Sequence, residues 1–467
     1  MPTISAPQKQ AIESIVTPER ARFDVRERRV YSHDTGVLPG PFKLLAAPSL
    51  ADGVVQPQTE DQVVKLVRFA VAEGIPLVPR GKATSGYGGA IPAHGGLVLD
   101  LTRLKGIVWA DTEDMTVTMR AGTVWKDLEE ALAAYGLALR LYPTSAPGST
   151  VGGWLAQGGA GLGSHAYGWF ADNVLAARVV TGTGQIREVA GEELRTIADA
   201  EGTTGIISEV TLAVRRATEQ EQTAVAFTDA QHLADALRLV SDRRLPLWSI
   251  TFLNPTMAHL KNVGPPKTHQ GHAEPSAPPL PENRYVALFA YDTEHSQIVV
   301  DGLREIALTT DGQRLPAFIA RHEWAERFKP MRLKRLGPSV IPAEVVVPLA
   351  SLPAVLSELE QNIKAPLAIE GLSVRGEEIV LLGFIPHDER TLGYTFGYGF
   401  ALSAIRSAER HGGRAYSTGR YFASRAESLF GARRIEALKL EKGRNDPAGP
   451  TDWRRSAPVA RPQRRRR

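Results

Sequence analysis

The chain has 467 residues, 43% hydrophobic and 23% charged, with a formal net charge of +4; at roughly 100–200 residues per domain that is two or three domains of ordinary globular composition. Cysteine is absent, which excludes disulfides, cysteine-ligated iron–sulfur clusters and thiol nucleophiles within the chain. No run approaches the roughly 18 apolar residues that cross a bilayer, and the polar, mixed start from Met1 to Ser14 lacks the pattern of a secretory signal, so a cytoplasmic protein without a membrane span is expected.

In chain order, residues 7–16 carry a short helix pattern, followed by a turn-rich stretch through Ser32-His33-Asp34-Thr35-Gly36 and Pro39-Gly40-Pro41. Val54-Val55-Gln56-Pro57 reads as a strand. Thr59 to Gln62 has the form of a capping box, with Thr59 as N-cap and Gln62 returning to it. The helix it opens sets Val63, Val64, Val67 and Ala70 at helical spacing and stops at Gly74, a residue suited to a left-handed cap. Residues 75–78 form the next strand of a strand–helix–strand unit. Strands at 97–101 and 116–119, a helix at 124–135 ending at Gly136, and strands at 173–181 and 206–214 complete a first α+β region.

A second α+β region begins near Thr223. Strands are expected at 225–227, 248–252, 285–291, 345–348 and 379–384, and helices at 231–242, 297–308 and 400–411. The segment 263–283 is rich in Pro, Gly and His and reads as an exposed loop. After Gly443 nothing signals packed structure, and 441–467 is read as a disordered basic tail. It carries Arg454, Arg455, Arg461 and Arg464 to Arg467 with no aromatic residue interleaved, a pattern that fits a solvated end better than nucleic-acid binding.

Two glycine-rich loops stand out. The first, Pro79-Arg80-Gly81-Lys82-Ala83-Thr84-Ser85-Gly86-Tyr87-Gly88-Gly89, follows a strand directly. Successive backbone N–H groups in such a loop make an anion-binding concavity, and missing side chains let a pyrophosphate approach. Arg80 or Lys82 could add charge, and Thr84 or Ser85 hydroxyl donors; a plain glycine-rich turn is the alternative. The spacing is neither that of a P-loop nor of the dinucleotide fingerprint. The second loop runs from Tyr142-Pro143-Thr144-Ser145 through Thr150-Val151-Gly152-Gly153 to Gly158-Gly159-Ala160-Gly161-Leu162-Gly163. It is followed by Tyr167-Gly168, Asp172-Asn173-Val174 and Glu201-Gly202-Thr203-Thr204-Gly205-Ile206-Ile207.

In that order these elements resemble the flavin domain of the p-cresol methylhydroxylase/vanillyl-alcohol oxidase family. Its loops have the forms Pro-x-Gly-x-Gly-Thr-x-x-x-Gly-Gly, Thr-[Ile/Val]-Gly-Gly and Gly-x-x-Gly-[Ile/Leu]-[Ile/Val]. The resemblance covers residues 40–217 well and the remainder more loosely. It implies a two-subdomain FAD-binding domain over 41–218, preceded by an N-terminal helix and extension (1–40) and followed by an α+β substrate (cap) domain over 219–440. It further implies that FAD is held by Arg80, Gly81, Lys82, Ala83, Thr84 and Ser85 around the pyrophosphate. Pro143, Ser145, Thr150, Gly152, Gly153, Gly158 and Gly161 would line the ribityl chain and ring, and Ile207 the adenine side or ring edge. The sequence departs from the pattern at Lys82-Ala83, where the family's second loop glycine is missing. Histidines that tether flavin in some members lack a counterpart between Arg80 and Ala90; His94 and His165 are the remaining ones, and a non-covalent FAD is expected.

The second half resembles the D-lactate dehydrogenase and glycolate oxidase flavin-subunit subgroup. The match rests on His322-Glu323-Trp324-Ala325-Glu326-Arg327, Glu344-Val345-Val346-Val347-Pro348, and the segment from His411-Gly412-Gly413 to Asn445-Asp446-Pro447. By that resemblance Arg327 holds the substrate carboxylate, a task its planar fork suits; a surface pairing with Glu323 or Glu326 is the alternative. The subgroup's His-x-Gly-Asp-Gly-Asn-x-His stretch is replaced by Gly383 to Asp388, and its Gly-Glu-His-Gly by Tyr416 to Gly419, so no metal site is implied. His387, His411 and Tyr416 remain as candidates for the base. The expected function is oxidation of a 2-hydroxy acid such as glycolate or D-lactate, with electrons passed to a separate acceptor, an iron–sulfur partner subunit being the one the resemblance suggests. The alternative is a flavin-binding subunit whose substrate site has decayed, serving electron transfer or assembly.

Overall fold

A computed structural model describes residues 4–36, 50–265, 279–328, 330–337, 339–388 and 397–445, with 268–269, 272–273 and 390 between them. The first layer is a four-stranded sheet in the order β1 (Ala21–Arg22), β2 (Gly53–Val55), β4 (Leu97–Asp100), β3 (Leu77–Arg80). β2, β4 and β3 are parallel, and their unbroken apolar runs suit a sheet covered on both faces. Helices α1 (Ala6–Val16) and α2 (Glu60–Glu73) pack together through Ile12, Val16, Val63 and Val67. Residues expected as an N-terminal extension are therefore part of this layer, since α1 fills its core and β1 pairs with β2. At the start of α2, Thr59 accepts from the Gln62 amide at 3.2 Å, but the Gln62 side chain accepts from Gln58 N–H at 2.8 Å rather than from Thr59. The helix ends, as its sequence implies, at Gly74 with φ 65°.

The second layer is built on β10 (Ile206–Arg216), with β5 (Ile107–Asp111), β6 (Thr116–Arg120), β7 (Leu137–Leu139), β8 (Val174–Val180) and β9 (Ile186–Ala190) around it. Helices α3 (Trp125–Ala133) and α4 (Val151–Gln157) cover it, and at the centre Trp154 and Phe170 stack with Trp125 edge-on to both. An ion pair joins the two layers: Arg178 on β8 bonds Glu60 at the start of α2 at 2.6 Å, and the Ser208 hydroxyl donates to the same carboxylate at 2.6 Å. The Arg178 hydrogen bond leads the groups that hold the Glu60 carboxyl below its usual range against the opposing effect of burial.

The third layer is an eight-stranded antiparallel sheet in the order β16-β11-β15-β12-β18-β19-β17-β20. Its strands are β11 (Gln220–Phe227), β12 (Ser249–Leu253), β15 (Tyr285–Asp292), β16 (Gln313–Arg314), β17 (Ser339–Pro348), β18 (Ala368–Val374), β19 (Glu378–His387) and β20 (Arg414–Ala415). A two-residue hairpin, β13 (Thr268–His269) and β14 (His272–Ala273), stands apart within the Pro-rich segment, most of which lies outside the described residues. One face of the large sheet is covered by α5 (Ala230–Asp242), α7 (Ser296–Thr309), α9 (Leu352–Asn362) and α10 (Gly397–Arg410). The other face, with Val346, Leu372, Val380 and Leu382, packs on Ala160 and Tyr416 and on Met257 of α6 (Pro255–Val263). This second face looks toward the first two layers.

The C-terminal boundary differs from the sequence reading. Helix α11 (Ala432–Asn445) runs past residue 441 and docks on the second layer. Arg434 donates to Ala198 O at 2.6 Å, Glu441 pairs with Arg187, and the buried Asn445 amide donates to Thr204 O at 2.9 Å. Residues 432–445 thus pack on the first half, while Phe422, Arg425 and Ser428 still contact the cap layer. The terminal arginine run lies outside the described residues. Among the described residues no helix is long and apolar enough to cross a membrane.

Candidate functional site

Where the two smaller sheets meet, a cleft of about 950 Å³, open mouth included, is walled by the first loop, the start of α4 and the segment Glu201 to Ile207. The walls meet because glycines let them. A Cβ on Gly81 would stand 2.4 Å from Thr150 Oγ1, and one on Gly152 would stand 2.5 Å from the Ala121 Cβ; either contact is far inside van der Waals distance. Thr150 caps α4, accepting from Gly153 N–H at 3.3 Å.

The first loop is braced from behind by residues 31–36. Thr35 donates from its amide and hydroxyl to Ser85 O at 3.1 and 2.8 Å. The Asp34 carboxylate accepts from Gly88 N–H at 2.7 Å and from Gly36 N–H at 2.9 Å. Burial raises the Asp34 carboxyl to about 6, with those amide bonds and Arg80 acting the other way. Arg80 lies over the Tyr31 ring and donates to Ala90 O at 3.3 Å, so its guanidinium supports the loop. The amides from Lys82 to Gly86 make no hydrogen bond among the described residues. A row of unspent N–H groups on a glycine-shaped concavity is the donor set that phosphate oxygens require. The residues present therefore fit a dinucleotide cofactor. Ala83 holds φ 50°, the left-handed conformation that glycine reaches without strain, so the loop keeps its path at the position where the sequence departs from the family pattern.

Of the residues expected at the cofactor, Arg80, Gly81, Lys82, Ala83, Thr84, Ser85, Ser145, Thr150, Gly152, Gly153 and Ile207 line the cleft. Pro143, Gly158 and Gly161 are not among the residues that line this cleft. Gly161 is needed because a Cβ there would stand 2.1 Å from Tyr142 O, and Gly158, at φ 79°, lies against Asp199. Sequence reasoning missed Trp154, Gln157 and Glu201 on the wall. Glu201 ties the wall to the C-terminal segment by accepting from Gly419 N–H at 2.9 Å. His94 is exposed, and His165 is half-buried beside Ser373, its imidazole lowered to about 4 by its protein surroundings; neither lines the cleft.

The expected catalytic residues do not come together. Arg327 is sandwiched between the Trp324 and Phe328 rings, 4.4 and 4.3 Å from their centroids, and donates to Trp324 O at 2.8 Å. It also lies 6.0 Å from the Tyr142 ring, outside the cleft wall. His387 is the last residue of β19, opposite Ser339. His411 bonds Glu358 at 2.9 Å on the outer side of the sheet. Only Tyr416 adjoins the cleft: its hydroxyl accepts from Ala160 N–H and donates to Ala160 O, each at 3.2 Å, and burial pushes its pKa well above the usual range.

Two carboxylates on the inward face of the large sheet were not anticipated. Glu344 on β17 pairs in register with Leu382 on β19, and Leu382 with Glu370 on β18. Side chains in one cross-strand row share a face, so Glu344 and Glu370 stand on one side, two strand spacings or about 10 Å apart. Burial raises each carboxyl to about 7. Glu344 is closely surrounded by protein yet keeps part of its surface accessible. Its neighbours are Tyr87, whose hydroxyl accepts from the Glu344 amide at 3.0 Å and bonds its carboxylate, and Tyr416. Near Glu370 lies the buried pair Lys261–Glu323.

Residues 51–190 match the FAD binding domain family. The chain is 28% identical over 337 residues to the mitochondrial D-lactate dehydrogenase [cytochrome] of Arabidopsis thaliana, a match covering 68% of this chain and 57% of that protein. It is 30% identical over 246 residues to glycolate oxidase subunit GlcD of Bacillus subtilis, covering 50% of each. The chain thus spans little more than half the length of these curated relatives. Among solved structures, alkyldihydroxyacetonephosphate synthase superposes with a TM-score of 0.76 at 18% identity, over 97% of this chain and 85% of that one. p-Cresol methylhydroxylase superposes with a TM-score of 0.76 at 14% identity, over 94% of both; at such identities the likeness is one of fold. Residues 51–190 thus form a domain of the FAD binding domain family, and the chain is related to the glycolate oxidase subunit and D-lactate dehydrogenase and shares the fold of p-cresol methylhydroxylase.

Proposed function

We propose that the protein binds FAD non-covalently and oxidises a small 2-hydroxy acid such as D-lactate or glycolate, in the cytoplasm, passing the electrons to a separate redox partner. The observation that carries this reading is the cleft whose backbone amides from Lys82 to Gly86 remain unspent, together with relatedness to D-lactate dehydrogenase and the glycolate oxidase subunit. The loop amides and Ser85 would hold the pyrophosphate, and Ser145, Thr150 and Ile207 would line the remainder. Bound there, FAD supplies a two-electron hydride acceptor. The inward face of the large sheet would exclude water from the reacting end, with Ser417 and Gly419 on the cleft wall. Lacking cysteine, the chain has no iron–sulfur centre of its own ligated by cysteine, and an iron–sulfur subunit is the partner proposed.

The second reading is a flavin-binding subunit without turnover of its own. It is favoured by the engaged position of Arg327 and by the fact that neither His387 nor His411 lines the cleft. Anaerobic addition of D-lactate or glycolate to the purified holoprotein separates the two. Bleaching of the flavin band near about 450 nm supports the dehydrogenase; an unchanged spectrum with both acids supports the subunit without turnover.

A further inference from the structure

We propose that Glu344 is the group that receives the hydroxyl proton of the substrate, held for that task by Tyr87. The proposal rests on the oxidoreductase reading above and assigns the base which that reading leaves open. Three observations single out Glu344. It stands on the face of the large sheet that looks toward the cleft, in the row Glu344–Leu382–Glu370. It is bracketed by two segments that line the cleft: Tyr87 lies between the lining residues Ser85 and Gly89, and Tyr416 precedes the lining residue Ser417. It keeps accessible surface although protein surrounds it. Rival groups are occupied or remote. The Tyr416 hydroxyl is spent on Ala160, Glu370 faces Lys261 and Glu323 two strands away, and His387 is at the end of its strand.

In the proposed step the substrate O–H bond breaks and its proton passes to a Glu344 carboxylate oxygen. The C–O bond becomes a carbonyl as the C–H hydrogen leaves with its electron pair, and the bound flavin, the oxidant of the reading above, is reduced by two electrons. The Tyr87 hydroxyl accepts from the Glu344 amide and donates to its carboxylate. The groups facing the Glu344 carboxyl are Tyr87 from the first loop and Tyr416 from the segment after β20; β19 presents the uncharged Leu382. Burial favours the protonated acid and the Tyr87 bond the carboxylate, which together leave it at about 7. The basic, proton-accepting form is therefore gained as pH rises through neutrality.

The test uses holoprotein in two arms. In the first, stopped-flow flavin reduction by D-lactate is followed from about pH 5 to about pH 9 for wild type, Glu344→Gln and Glu370→Gln. The wild-type rate should rise with a midpoint near about 7, while Glu344→Gln should be slower by about 100-fold or more with no inflection and an unchanged flavin content. In the second, infrared difference spectra across the same pH steps should show a carboxyl C=O band titrating near neutrality. Part of that band should be lost in Glu344→Gln, and the part that persists in that variant should be lost in Glu370→Gln. A Glu344→Gln rate within about threefold of wild type with the same inflection overturns the proposal. If neither D-lactate nor glycolate reduces the wild-type flavin, the activity reading fails by itself. The infrared arm then decides: loss of a neutral-range band in Glu344→Gln supports a proton-accepting Glu344, and a carboxyl ionised throughout overturns it.

Discussion

The two halves of the molecule build their sites from different material. In the FAD-binding half the main chain does the work: Gly81 and Gly152 bring walls together, Thr150 caps the helix behind them, and backbone amides face the cleft. In the cap half the backbone is spent in an eight-stranded ladder, and the distinguishing features are side chains: the buried carboxyls of Glu344 and Glu370 with their tyrosine and lysine neighbours. A main-chain site tolerates almost no added atom but little depends on which polar side chains surround it. A side-chain site has the opposite sensitivity, so the second half can change substrate while the first keeps its cofactor.

The largest expected effect is on the first half. Gly81→Ala adds a Cβ at 2.4 Å from Thr150 Oγ1 and should lower FAD affinity by about tenfold or more, read as the flavin retained after dialysis; full retention would mean that the wall yields. The next contrast concerns Arg327. Its place between Trp324 and Phe328 implies that Arg327→Ala costs about 2 kcal/mol of stability with little change in KM. A large rise in KM at unchanged stability would instead return Arg327 to the substrate carboxylate. The smallest effect is on pH dependence. The Glu370 carboxyl is raised from 4.5 to about 7 in the folded chain, so its neutral form favours folding at low pH. That contribution is lost as pH rises from about 4.5 to about 7. Glu370→Gln should remove that loss, gaining on the order of 2 kcal/mol at about pH 8 over about pH 5 relative to wild type. Urea denaturation at the two pH values reads it, and equal slopes would show Glu370 to be solvated.

The same contrast explains what was legible in the amino-acid sequence. Glycine motifs are written in consecutive residues, so the 79–89 loop and Thr150-Val151-Gly152-Gly153 could be read directly. Ala83 broke the pattern on paper, yet it takes up φ 50° and leaves the loop intact. The cap site depends on cross-strand register, which unites Glu344, Leu382 and Glu370 only after three strands pair. No local spacing announces that row, and attention fell instead on histidines such as His387 and His411, neither of which lines the cleft. Tyr87 carried one readable signal, a large aromatic set between Gly86 and Gly88 in a loop otherwise stripped of bulk. Likewise the C-terminal boundary was set too early because α11 is a charged helix, whose few apolar contacts and buried Asn445 matter only against the second layer.

The cleft's occupancy by flavin underlies every step above, and it is measured by titrating flavin-free protein with FAD while following flavin fluorescence. Saturable binding at one FAD per chain, with affinity lost in Gly81→Ala and retained in Glu344→Gln, is the expected result. Binding that is absent, or that Gly81→Ala leaves untouched, would contradict the assignment of this cleft.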